Sequence, residues 1–95
     1  MAEQIRIAGG APLVLQQSDL ALQGHAIECR INAEDPDRNF LPRPGLVREW
    51  KAPEGDGVRC DSHCTSGTTI TPHYDSLLAK LIVHAPTRAQ AIDRM

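Results

Sequence analysis

GHAIECRINAEDP, at residues 24–36, is the stretch of sequence that decides the fold. From position 27 to position 32 apolar residues alternate with polar ones, which is typical of a strand with one buried face. Glu34 and Asp35 precede a proline and end the strand, and we expect them to bind neighbouring backbone amides in a turn, with a general acid/base pair as the alternative. Arg30 is expected to form an ion pair with one of these two acids.

Four further segments are strand candidates, separated by turns rich in Pro and Gly. They are Leu46–Trp50, Val58–His63, Thr68–Ile70 and Leu77–His84. The last is the most apolar and is short enough for a buried strand, with a helical turn at its start as the alternative. The pattern predicts an α+β fold, a small mostly antiparallel sheet of three to five strands with a short helix at each end.

The two ends of the chain carry the helix signals. Residues 2–8 are helix formers and Gly9-Gly10 follows them, which is typical of a helix end. Thr87 precedes Gln90 by three residues, the spacing of a capping box, and good helix formers continue to Met95. Because both ends of the chain fall in helices, we expect the sequence to be a piece of a larger protein.

Composition limits the classes of function. The chain has 95 residues, so we expect one small domain. It has ten Lys or Arg against twelve Asp or Glu and a net charge of −2, so we expect no basic patch for nucleic acid or an anionic membrane. Only three residues are aromatic, which predicts a thin core. An odd count of three cysteines argues against a disulfide scaffold. Without a membrane span or signal pattern, the expected location is the cytoplasm, or an organelle matrix in a eukaryote.

Arg59 is the candidate functional residue that the pattern itself singles out. It follows the turn at residues 54–57 and falls on the polar face of a predicted strand. Its planar guanidinium suits bicarbonate, phosphate or another oxyanion, and a structural ion pair is the alternative.

Other chemistry is weakly supported. Cys60, His63, Cys64 and His73 are ligand types that zinc accepts, but their spacing does not match a zinc ribbon, so small packed residues and a surface histidine are the favoured interpretation. A nucleophilic Cys/His pair lacks a clear orienting carboxylate. Neither of the two glycine-rich phosphate-binding motifs is present, so no nucleotide loop is assigned.

The order and spacing of several motifs resemble one known family. The motifs are GHAIECRINAEDP at 24–36, FLP at 40–42, PG at 44–45, GVR at 57–59, YDS at 74–76 and AKLI at 79–82. Together they resemble the C-terminal domain of biotin carboxylase, which also occurs in acetyl-CoA, propionyl-CoA, methylcrotonyl-CoA and pyruvate carboxylases. The resemblance implies that residues 1–23 are the tail of a preceding ATP-grasp domain and a linker. Residues 24–95 would then be the C-terminal domain, shortened in its last helix.

The resemblance implies a reaction and a site. In the family, ATP and bicarbonate are used to carboxylate biotin on a carrier protein, the first half-reaction of acetyl-CoA or another acyl-CoA carboxylase and a step in fatty acid biosynthesis. Arg59 matches the arginine that holds biotin and stabilises its enolate, so it is the implied catalytic and substrate-binding residue for biotin and bicarbonate. Tyr74, Asp75 and Lys80 are implied parts of the active-site wall, and Arg88 is an implied dimer contact.

The resemblance also implies what lies outside this chain. The residues that bind ATP and Mg²⁺ or Mn²⁺ belong to the upstream ATP-grasp portion, so the 95-residue chain alone is predicted to be inactive. The implied partners are the biotin carboxyl carrier protein, the carboxyltransferase component, the ATP-grasp portion and a second copy in a homodimer. A non-catalytic module for dimerisation or carrier docking is the alternative function, and a free-standing zinc domain is a more remote one.

Overall fold

The structure, a computed structural model, describes every residue from Met1 to Met95. In chain order its elements are α1 (Ala2–Ala8), β1 (His25–Asn32), β2 (Glu34–Asp35), β3 (Leu41–Pro42), β4 (Gly45–Leu46), β5 (Val58–Ser62), β6 (Thr69–Ile70), β7 (Leu77–Ala85) and α2 (Arg88–Arg94). Single 3₁₀ turns lie at Gln17–Asp19 and Pro36–Arg38.

Three strands form the main sheet, in the order β1-β7-β5, with both neighbours antiparallel to β7. The most apolar run of the sequence is therefore the central strand, where both of its edges are hydrogen-bonded. It is strand from Leu77 onwards, so the alternative of a helical turn at its start is wrong. The pairs β2-β3 and β4-β6 add two short antiparallel ladders.

One face of the main sheet carries the hydrophobic core. Val83 of β7 is 1% exposed and lies in register with Ile27 of β1 and Val58 of β5. Helix α2 packs on this face and places Ala91, 0% exposed, against Val83. The core is thin, as the composition predicts, since only five of 95 residues are buried.

The capping box predicted for α2 is present. The Thr87 side chain accepts a hydrogen bond from the Gln90 amide at 3.3 Å, and the Gln90 side chain accepts one from the Thr87 amide at 3.1 Å. This reciprocal pair fixes where α2 begins, and so which of its residues meet the sheet.

The opposite face of the sheet is mostly polar, with Ile82 of β7 between Glu28 and Arg59. It carries Glu28 and Arg30 of β1, Lys80 of β7, and Arg59 and Asp61 of β5, because side chains alternate between the two faces of a strand. The sheet therefore presents charged side chains on one side and packs α2 on the other.

The N-terminal segment contributes little to this core. Helix α1 ends at Gly9 as expected and buries no residue. The radius of gyration is 17.8 Å, whereas a compact domain of this length has about 12 Å. The chain is thus more extended than one compact unit. Neither seven-residue helix is long and apolar enough to cross a membrane.

Four strand predictions are corrected in their extent. Strand β6 lacks Thr68 and β7 includes Ala85, a difference of one residue each. Residues Leu46–Trp50 were expected to form one strand, but only Gly45–Leu46 is strand, paired with Thr69–Ile70. Beyond it the Trp50 amide donates to the Ser66 side chain at 2.8 Å, so the ladder does not continue. Strand β5 stops at Ser62, one residue early, because the Ser62 hydroxyl accepts the Cys64 amide at 2.9 Å and turns the chain.

The expected partner of Arg30 is also wrong. Arg30 forms an ion pair with Glu28, at 3.3 Å, and not with Glu34 or Asp35. Glu28 precedes Arg30 by two residues and shares its face, whereas a register shift at Ile31/Asn32 separates Arg30 from the later acids. Asp35 instead pairs with Arg43 at 2.6 Å and accepts the Asp37 amide, which confirms its predicted role in the turn.

Candidate functional site

A tight turn fixes the position of Arg59. Gly57 has φ +69°, in the left-handed region that favours glycine, and its carbonyl accepts the His84 amide at 2.8 Å. Strand β5 begins at the next residue, and the hydrogen bond from His84 to Gly57 already pairs this segment with β7. Arg59 follows two residues later on the polar face, as the sequence predicts.

Asp61 holds one edge of the Arg59 guanidinium. Arg59 Nε donates to Asp61 Oδ1 at 2.9 Å and Nη2 donates to Oδ2 at 2.8 Å. The hydrogen bonds from Arg59 hold the pKa of Asp61 below its usual range, and those to Asp61 raise the pKa of Arg59. The carboxylate and the guanidinium are therefore both charged across the physiological range.

Lys80 extends this pair across the sheet. It lies opposite Asp61 on β5 and opposite Arg30 on β1, and its charge further lowers the Asp61 pKa. Lys80 itself forms no ion pair, while the side chain of Arg59 is 72% exposed. Like charges opposite one another on a sheet are destabilising. Arg30 and Lys80 therefore lower the stability of the sheet unless an anion lies nearby. Three cations against the carboxylates of Glu28 and Asp61 give this face a positive excess suited to an anionic ligand.

The other residues expected at the site line two adjacent hollows. The first, about 370 Å³, is lined by Asp61, Lys80 and neighbouring residues of β5 and β7. The second, about 210 Å³, is lined by Tyr74, Asp75 and the threonines around β6. His63 and Leu78 line both hollows. The structure therefore places Lys80 with Asp61 at the first hollow and Tyr74 and Asp75 at the second, whereas Arg59 lines neither.

Arg88 does not join this group. It is the first residue of α2, which packs on the opposite face of the sheet. Its expected role as a dimer contact stays a prediction.

The cysteines and histidines form one close pair and no larger cluster. Cys64 is buried, with its Sγ 3.7 Å from Nε2 of His63, and no carboxylate hydrogen-bonds that ring. The chain contains no group of three or more His, Cys, Asp or Glu side chains arranged to hold a metal ion. Neither a zinc centre nor an oriented Cys/His nucleophile is formed by these residues.

Two features of the site were missed by the sequence reasoning. Asp61 was not recognised as the partner of Arg59, although a spacing of two on a strand puts both side chains on one face. The hydrogen bond from Ser76 to Glu34, at 2.7 Å, joins two motifs 42 residues apart, and no local pattern points to it.

Comparison with known proteins gives the family. The family model for the biotin carboxylase C-terminal domain matches residues 28–95. The chain is 57% identical over 95 residues to the biotin carboxylase of Nostoc sp. (strain PCC 7120), covering 100% of this chain and 21% of the relative. It is 55% identical over 93 residues to the chloroplastic biotin carboxylase of Arabidopsis thaliana, covering 98% of this chain and 17% of the relative.

A solved structure shares the fold. The biotin carboxylase domain dimer of the Hydrogenobacter thermophilus 2-oxoglutarate carboxylase, in complex with MgADP, ADP and bicarbonate, superposes with a TM-score of 0.93 at 50% identity. The match covers 97% of this chain and 20% of that one. The chain thus spans about a fifth of the length of these proteins. On the family match, the sequence identity and the shared fold, the chain belongs to the family of biotin carboxylase C-terminal domains.

Proposed function

We propose that this chain supplies the biotin- and bicarbonate-facing arginine of a biotin carboxylase. The observation that carries the proposal is Arg59, an exposed guanidinium fixed by Asp61 on a face with excess positive charge. The complete enzyme would use ATP and bicarbonate to carboxylate biotin on a carrier protein. Its product would pass to a carboxyltransferase component, as in acetyl-CoA carboxylase.

Arg59 suits this chemistry for two reasons. A guanidinium remains charged at any working pH and offers parallel N–H donors that match a planar oxyanion. In the carboxylation of biotin, negative charge develops on the ureido oxygen as the ring nitrogen loses its proton. A cation fixed beforehand next to that oxygen stabilises the charge without reorganisation, so it lowers the barrier and not only the KM.

ATP and its metal are assigned to other parts of the enzyme. This chain has no glycine-rich phosphate motif and no acidic or histidine cluster for a divalent ion. The residues present therefore do not fit Mg²⁺ or Mn²⁺. The 95-residue chain alone is expected to show no ATP-dependent carboxylation.

Two further elements of the proposal concern partners. The complete protein would act as a homodimer, with Arg88 near the second copy, and would dock a biotin carboxyl carrier protein. The dimer described for the Hydrogenobacter domain supports the first of these. The alternative, a module used only for dimerisation or carrier docking, differs in one testable respect: it does not need Arg59 for turnover.

The test uses a chimera in which this chain replaces the matching 95 residues of the Nostoc enzyme, from which it differs at fewer than half of the positions. Turnover is followed as bicarbonate- and biotin-dependent release of ADP. Arg59→Ala is expected to lower kcat by about 100-fold or more, with the KM for ATP unchanged. Arg48→Ala is the control, an exposed arginine outside this face, and should remain within about twofold of the chimera. Full turnover by the Arg59→Ala chimera would exclude the catalytic role and favour the docking module.

A further inference from the structure

The Arg59 guanidinium is held along one edge only. It has five N–H donors, and Asp61 takes one on Nε and one on Nη2. Three donors remain, two of which form the parallel pair on the Nη1/Nη2 end of the group. The ion pair thus leaves free the edge best suited to a planar acceptor.

Strand geometry places the Asp61 side chain beside that of Arg59. Asp61 is two positions after Arg59 on β5, so both side chains leave the same face of the sheet. Lys80, the residue opposite Asp61, adds only a smaller attraction to the carboxylate than Arg59 does and forms no ion pair with it. Arg59 and Lys80 therefore share one carboxylate, which hydrogen-bonds to Arg59 alone.

A second pair on the same face shows how much weaker such a contact can be. Glu28 and Arg30 have the same spacing on β1, yet they make one hydrogen bond, of 3.3 Å, and not two. A single long bond leaves the guanidinium free to rotate about its side-chain torsions. The two-bond geometry at Arg59 fixes both the position and the plane of the group.

We propose that Asp61 is a positioning residue, which holds the side edge of Arg59 so that its Nη1/Nη2 edge faces the planar oxygen acceptor of the reaction. The inference rests on the proposed function, because it gives Arg59 a substrate. The acceptor is the negatively charged oxygen of either bicarbonate or the biotin ureido group. Misplacement of a binding group by about 1 Å can lower a rate about 100-fold, so fixing the plane of the guanidinium has a measurable consequence.

The test compares variants of the same chimera by kcat and by separate KM values for biotin, bicarbonate and ATP. Asp61→Asn removes the charge and one of the two acceptors, and we expect kcat to fall about 10-fold or more with the KM for ATP unchanged. A rise in the KM for biotin alone would identify the ureido oxygen as the acceptor, and a rise for bicarbonate alone would identify that anion. Asp61→Glu keeps both carboxylate oxygens and should restore most of the turnover.

A double-mutant comparison separates positioning from a general structural role. In the Arg59→Lys background there is no planar guanidinium for Asp61 to orient, so Asp61→Asn should change kcat by less than about twofold. An equal loss in both backgrounds would overturn the proposal. So would an equal loss on Glu28→Gln, the matched control that breaks the other ion pair on this face.

The variants distinguish a failure of the positioning role of Asp61 from a failure of the proposed function. If Arg59→Ala keeps full turnover, Arg59 has no catalytic role and the proposed function fails. If Arg59→Ala loses turnover but Asp61→Asn does not, the proposed function stands and the positioning role is wrong.

Discussion

Ser76 Oγ donates a 2.7 Å hydrogen bond to Glu34 Oε1, and so joins the turn that follows β1 to the segment that leads into β7. The Ala33 amide donates to the Ser76 carbonyl at 2.8 Å beside it. Asn32 supplies a second donor to Glu34, at 3.2 Å. The turn at residues 33–35 and the segment at residues 74–76 are therefore hydrogen-bonded to each other. Glu34 thereby helps to hold Tyr74 and Asp75 at the second hollow, although it lies 40 residues before Tyr74.

This contact gives the first prediction. Glu34→Ala removes the acceptor of two side-chain hydrogen bonds, and hydrogen bonds to charged groups contribute about 1.5–3 kcal/mol each at most. We expect a loss of about 2 kcal/mol in the free energy of unfolding, measured by urea denaturation of the 95-residue chain. Ser76→Ala on top of Glu34→Ala should add little, since the shared bond is already lost. Fully additive losses would show that the two side chains act separately.

The second prediction concerns the core. Val83→Ala removes two methyl groups from a side chain packed between Ile27, Val58 and the helix residue Ala91. The lost burial and the cavity together are expected to cost about 2 kcal/mol in unfolding free energy. Ile92→Ala, on the outer side of α2 at 50% exposure, is the control and should cost less than about 0.5 kcal/mol beyond helix propensity. Equal costs would mean that α2 does not dock on Val83 in solution.

The core and the main sheet could largely be predicted from the sequence, because both follow from local rules. Alternation at residues 27–32 determines which side chains of β1 face the core, and the capping box at Thr87 determines where α2 begins. The site could be predicted only in part. The GVR motif and the resemblance led to Arg59, whereas its partner Asp61 required the strand geometry.

The misassigned partner of Arg30 shows why the remainder could not be predicted. A spacing of two on one strand face points to Glu28, whereas Glu34 and Asp35 lie beyond a register shift at Ile31/Asn32 that no residue pattern announces. Strand β4 was overestimated for a related reason. Val47 and Trp50 both bond to the loop at residues 66–68, a tertiary contact that ends the ladder.

The third prediction tests the turn before Arg59. A Cβ on Gly57 would meet the His84 carbonyl oxygen at 2.5 Å and the Arg94 guanidinium as well, and the residue has φ +69°. Gly57→Ala therefore meets both backbone strain and a clash, while Gly67→Ala, at φ +91° with nothing within 4 Å, meets strain alone. We expect about 1 kcal/mol of destabilisation for Gly67→Ala and clearly more for Gly57→Ala. Equal urea midpoints for the two variants would show that Arg94 and His84 move aside without cost.

The fourth prediction concerns the thiols. Cys29 and Cys60 both lie in register with Leu81, one on each side of β7, so their Cα atoms are about 9.5 Å apart. A disulfide needs a Cα separation below about 7 Å. Mild oxidation is expected to form no Cys29–Cys60 bridge within the chain, as read by mass spectrometry after digestion. Alkylation should modify exposed Cys29 first and buried Cys64 last; the reverse order would contradict the packing around Cys64.

The last prediction follows from the ion pair at the site. Arg59 lowers the pKa of Asp61, so the folded chain holds this carboxylate charged at a pH where the unfolded chain protonates it. The pair therefore stabilises the fold at pH values above the ordinary aspartate pKa of about 4, and the stabilisation is lost as pH falls through the lowered value. Because both side chains are largely in solvent, the effect on stability is small, and a difference measurement is needed. The urea midpoint of the chain should exceed that of Asp61→Asn at pH 7, and the two should converge below the aspartate range. A constant difference at all pH values would show that the contribution of Asp61 does not depend on its charge, and the ion pair with Arg59 would then not be its cause.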